Sequence, residues 1–150
     1  MSLKGNAVTK FVNLIKLSVG TEDVESLESW QRHRYKQIRD GQYYHITRMW
    51  PKRAEEILNG GSIYWVIKGE TLARQRITGF DEVIGADGIR RCGILLDPQI
   101  VRVSPVLRRP FQGWRYLDPA DSPPDLRRGR STEEDVPKAL DRALAEIGVI

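Results

Sequence analysis

Between Ser62 and Leu107 the chain leaves no room for helices to alternate with strands. Short β-forming runs follow one another there, broken by glycine, proline and Asp-Gly turn signals. Parallel strands need long crossovers, usually helical, so a doubly wound parallel sheet is excluded. The strongest run is Ser62-Ile63-Tyr64-Trp65-Val66-Ile67-Lys68. Its period of two sets Ile63, Trp65 and Ile67 on one face and Tyr64, Val66 and Lys68 on the other. Further strands are predicted at 73–80, 92–96 and 100–107, the last interrupted by Pro105, with Ala86-Asp87-Gly88 as a turn. Residues 110–117 read as a helical turn or an ordered loop.

Helices are expected only outside this block. A strand over 11–19 ends at Gly20, and Thr21 is placed to cap a helix running to about Arg39. Glu22 and Asp23 favour its first turn, and Val24, Leu27, Trp30 and Ile38 share a face. A strand over 42–49 precedes a short helix opened by Pro51, buried through Ala54, Ile57 and Leu58, and closed by Asn59-Gly60-Gly61. Residues 118–130 carry three prolines and read as an exposed connector. A last helix over 131–148 repeats Val136, Leu140, Leu144 and Ile147 at helical spacing. The expected fold is one α+β domain over residues 1–150: a small curled mixed β-sheet or β-barrel with flanking helices.

Composition narrows the function classes. No run approaches the roughly 18 apolar residues of a membrane span, and no secretory signal opens the chain, so a cytoplasmic setting without membrane is expected. Cys92 is the sole cysteine and should be a small buried residue leading into Gly93-Ile94-Leu95-Leu96. His33 and His45 are not spaced as metal ligands, and no phosphate-binding loop, dinucleotide fingerprint or nucleophile elbow occurs. No metal or cofactor is therefore expected. Charge points elsewhere: residues 44–117 hold 12 Lys/Arg against 7 Asp/Glu, whereas 118–150 hold 5 against 8. The middle of the chain would attract polyanions.

Two sets of residues there form candidate sites. Arg48, Lys52 and Arg53 surround the start of the helix opened by Pro51, where unpaired backbone N–H groups would favour an anion, and Trp50 offers an aromatic plane. On the strands, Tyr64, Lys68, Arg74, Arg76, Arg108, Arg109 and Arg115 would form a basic strip with an aromatic member if their faces point outward together. For each residue the plain alternative is a packed ring or a solvated charge.

The run from Trp50 to Gly69, with Phe11–Leu17 and Phe111–Leu117, resembles an uncharacterised family of short alphaproteobacterial proteins of unknown function. More distantly, a short helix ending in Ile-Leu-x-Gly, then a strand, then Arg76-Ile77-Thr78-Gly79-Phe80-Asp81-Glu82-Val83, is similar to the opening of ASCH domains in the PUA-like superfamily. That resemblance implies a small β-barrel that binds RNA or modified nucleotides. A few ASCH proteins are amidohydrolases using Lys, Thr and Glu; Lys68, Glu70 and Thr71 supply those types, but Gly60-Gly61-Ser62-Ile63 stands where the family's Gly-x-Lys is usual. The expectation is thus an RNA- or nucleotide-binding accessory domain with contacts from Arg48, Trp50, Lys52, Arg53, Tyr64, Lys68, Arg74 and Arg76, rather than an enzyme. A nucleoside hydrolase and a protein-interaction module using the last helix are the alternatives.

Overall fold

The computed structural model describes residues 10–35 and 43–126. The expected helix over 131–148, the residues 36–42 and the remainder of the connector lie outside the described residues.

Among the described residues seven strands and two helices follow in the order β1 (Asn13–Leu17), α1 (Val24–Tyr35), β2 (Tyr43–Thr47), α2 (Ala54–Leu58), β3 (Ser62–Ile67), β4 (Glu70–Ile84), β5 (Arg90–Leu96), β6 (Val101–Leu107) and β7 (Trp114–Leu117). The strands pair in the order β2-β5-β4-β3-β1-β7, with β6 also on β4. β1 and β3 are parallel, joined by the crossover that carries α1, β2 and α2; the other pairs are antiparallel. This is a mixed sheet, as expected. It does not close into a barrel: β2 and β7 end the order without pairing to each other.

The 15-residue β4 holds the sheet together. Its first half pairs with β3 and β6, and its second half with β5. Bulges near Leu72 and at Thr78 let one long strand turn between the two halves of the sheet. The β3–β4 hairpin is tighter than the expected gap between strands at 68 and 73. Lys68 and Gly69 both take positive φ, 52° and 84°, as a two-residue type I′ turn requires. Lys68 thus belongs to the turn instead of ending the strand.

β3 behaves as its alternation predicts, and both of its faces are buried. Ile63, Trp65 and Ile67 enter the main core with Leu14, Val24, Leu27, Ile57, Ile77 and Ile94. Tyr64 and Val66 join a smaller cluster with Ile15, Val103 and Leu117. We call these the inner and outer faces. Each fully buried isoleucine contributes about 1.5–3 kcal/mol. Gly61 lies where α2, β1 and β3 meet: a Cβ there would collide with the Val12 carbonyl and stand 2.7 Å from the Ile57 carbonyl.

Two local expectations are corrected and a third is sharpened. Thr21 does not cap α1, because its hydroxyl turns back to the Ser18 hydroxyl at 2.8 Å. Asp23 caps instead: its carboxylate accepts from the Ser26 N–H at 2.8 Å while the Ser26 hydroxyl accepts from the Asp23 N–H at 3.1 Å. Residues 114–117 form β7, a strand too short to show a period, whose pairing with β1 is specified by a distant segment. Residues 118–126 are mostly exposed, as expected of a connector, yet they are strapped down. A 3₁₀ turn spans Pro119–Asp121, and the Ser104 and Leu126 N–H groups bond the Pro124 and Arg102 carbonyls at 2.9 Å each.

α1 is keyed to the inner face by a buried amide pair. Gln31 and Gln75 exchange hydrogen bonds of 2.8 and 2.9 Å; the Gln75 oxygen also accepts from Trp65 Nε1 at 2.8 Å, and its nitrogen donates to the Asp97 carbonyl at 3.0 Å. Every polar atom of Gln75 is satisfied, so the network fixes the helix position without an orphaned group.

Candidate functional site

The anion site expected at the start of the short helix is already filled. The helix begins at Ala54, not at Pro51, and the N–H groups of Lys52 and Arg53 both donate to the Tyr116 hydroxyl, at 2.8 and 3.2 Å. The Arg53 guanidinium bonds Glu56 at 2.7 Å and lies over the Tyr116 ring, 5.1 Å from its centroid. Trp50 is half-buried against the core with Arg90 stacked on it at 4.2 Å. Arg48 and Lys52 are exposed. β7 is what sequence reasoning missed here: it supplies the phenol that caps these amides.

The strand set splits in two. Cross-strand register puts Tyr64 opposite Arg74 and Ser62 opposite Arg76, so these side chains do share the outer face. Arg74 is neutralised, however. It makes two 2.8 Å bonds to the Asp125 carboxylate and a third of 3.0 Å to the Ser62 hydroxyl. The bond to Arg74 lowers the Asp125 pKa, and burial raises that of the Tyr64 phenol. A cavity of about 360 Å³ opens beside them, with Asn13 and Ser122 joined across it at 2.9 Å. Lys68, at the exposed hairpin tip, pairs with Glu22 at 2.6 Å. Arg76 is exposed.

Lys68, Glu70 and Thr71 do not converge. Adjacent strand residues project to opposite faces. Thr71 is fully buried with an unbonded hydroxyl, Glu70 is partly exposed, and Lys68 is held outward by Glu22.

The three arginines further along do assemble. β6 leaves the sheet at Leu107, and the Arg108 N–H is anchored on the Gly69 carbonyl at 2.8 Å. The chain then reverses through Gly113, at φ 68°, into β7. Alternation on β7 sends Trp114 and Tyr116 toward the main core and Arg115 and Leu117 toward the outer face. Between loop and strand lies a cavity of about 630 Å³ lined by Arg108, Arg109, Phe111, Arg115, Tyr116 and Leu117, among others. Arg115 stacks over Phe111 at 5.2 Å, and Arg108 Nε is buried without a hydrogen-bond partner. No acidic residue lines the cavity among the described residues. Arg53, Arg74, Arg90, Arg91 and Arg102 each have a carboxylate partner; among the described residues Arg108, Arg109 and Arg115 have none. Three such cations around one hollow repel each other and are relieved by an anion.

The one cysteine offers no reactive thiol. Cys92 is fully buried, as expected, and burial pushes its thiol up to about 11. No cluster of His, Cys, Asp or Glu among the described residues is arranged to hold a metal, and no described helix is long and apolar enough to cross a membrane.

Fold and site together define a bent, open mixed-sheet protein with a cationic, aromatic cavity on its outer face. The chain belongs to the family described as "Protein of unknown function (DUF1489)", whose pattern matches residues 14–150. No curated protein and no solved structure matches it.

Proposed function

We propose that the protein is an RNA- or nucleotide-binding domain that works in the cytoplasm and holds phosphates in the outer cavity between β6 and β7. Arg108, Arg109 and Arg115 are the phosphate ligands in this reading, and Phe111 is the ring against which a base stacks. The carrying observation is three arginines gathered with aromatic rings around one cavity, with no carboxylate partner and no acidic lining residue among the described residues. Arginine forks suit phosphate oxygens, and an aromatic face accepts any base. A PUA-like kinship belongs to the same proposal, with the barrel left open.

Titration with single-stranded RNA at two salt concentrations tests it. Binding at low salt that weakens steeply as salt rises is expected, because each neutralised phosphate releases counterions. No binding at low salt would sink the reading.

A further inference from the structure

The inner face carries a second assembled group that the outer cavity does not use. Register sets Lys16 of β1 directly between Trp114 of β7 and Trp65 of β3. Residues opposite one another on neighbouring strands project from the same face, so the lysine stands in a row between two buried indoles. His45 of β2 sets its ring edge-on to Trp65, with centroids 5.7 Å apart. This is also where the ends of the sheet approach each other, since Trp114 Nε1 donates to the Met49 carbonyl, just past β2, at 3.0 Å.

Nothing within the described fold compensates this row. Lys16 is half-buried, its one hydrogen bond is 3.3 Å to the neighbouring Leu17 carbonyl, and no carboxylate pairs with it among the described residues. His45 Nε2 is buried and has no partner. Burial lowers the Lys16 pKa, and burial with the fields of Lys16 and Arg34 lowers His45 to about 4. At neutral pH the His45 imidazole is therefore uncharged, and both it and Lys16 stand beside Trp65. Withdrawing a cation from water without a partner costs free energy, and an apolar residue between two tryptophans would serve the fold better. Residues that destabilise a fold where an apolar one would fit concentrate at binding sites.

We propose that Lys16 and His45 form a binding site for the oxyanion group of a small ligand, a carboxylate or a phosphate, held beside Trp65 and Trp114 where β2 and β7 approach. The ammonium supplies charge and the neutral imidazole one N–H donor. The site lies on the opposite face of β1 from the arginine cavity and stands independently of it.

Isotope-labelled full-length protein, titrated with sodium phosphate and separately with sodium acetate at constant ionic strength, tests this through the His45 ring and Lys16 side-chain resonances. A saturable shift with one anion or both is expected, phosphate alone marking a phosphorylated ligand and acetate alone a carboxylic acid. Lys16→Met should lose that shift and melt at a higher temperature than wild type. The proposal is overturned by the absence of a saturable shift with either anion, or by a shift that survives in Lys16→Met. It is equally overturned if Lys16→Met melts lower or fails to fold, because the lysine would then be structural. Shifts confined to Arg108, Arg109 and Arg115 would assign the anion to the outer cavity and also overturn it.

Discussion

The two ends of the outer face carry similar residues in opposite states. At one end Arg74 is locked to Asp125 and Ser62, beside Tyr64. At the other, Arg108, Arg109 and Arg115 surround Phe111 with no carboxylate among the described residues there. The first is a strap that ties residues 118–126 to the sheet, and its charge is spent inside the protein. The second has charge left over. In a list of basic residues the two ends look the same; the partner of each guanidinium separates architecture from binding surface.

The contrast can be broken by removing satisfied and unsatisfied groups in turn. The largest effect should come from a satisfied buried group, Gln75. Gln75→Leu orphans the Gln31 amide and Trp65 Nε1, and should cost about 3 kcal/mol by denaturant unfolding. A cost near zero would mean that the amide pair does not hold α1. Replacing Arg108, Arg109 and Arg115 together by alanine should instead leave the melting temperature nearly unchanged. It should weaken RNA binding at low salt at least about tenfold and reduce the salt slope by about 2, at 0.7 per single-strand phosphate contact. An equal loss of RNA binding from Arg74→Ala would erase the distinction between the two ends.

The strap itself should register as a smaller, pH-dependent effect. Asp125 has a folded pKa below the ordinary value of about 3.9, so its contribution is present above that value and is lost as pH falls through the lower folded pKa. Asp125→Asn should therefore cost under about 1 kcal/mol at pH 7, discounted because the carboxylate is partly exposed, and flatten the acid limb of the stability curve. The smallest effect is at the hairpin tip. Lys68→Asn places a residue suited to positive φ in the type I′ turn and should raise the melting temperature by about 1–2 °C, read by calorimetry, despite losing the exposed pair with Glu22.

Much of this fold was legible along the chain because local periodicity reports it. The two faces of β3 follow from Ile63, Trp65 and Ile67 alternating with Tyr64 and Val66, and Cys92 is buried where its apolar neighbours predict. β7 was not legible, since four residues show no period and Trp114–Leu117 becomes a strand only beside β1. The same cause displaced the candidate site. Lys52 and Arg53 looked like donors for an anion, and Tyr116, over sixty residues away in sequence, takes both amides. Arg108, Arg109 and Arg115 stood in the wider basic set from the start, with no sign along the chain that they would gather around one cavity.

By itself, the sequence determined an α+β domain built on a curled mixed sheet or barrel, the buried and exposed alternation of its long strands, and a surplus of positive charge in the middle of the chain. Those properties depend on neighbours two to four residues apart. Only the tertiary structure decided which cations are neutralised and which are not. Salt bridges and cross-strand pairs join residues far apart in sequence, such as Arg74 with Asp125 and Lys16 with Trp114. Where such a partner exists the charge is part of the fold, and where none exists it is free for a ligand.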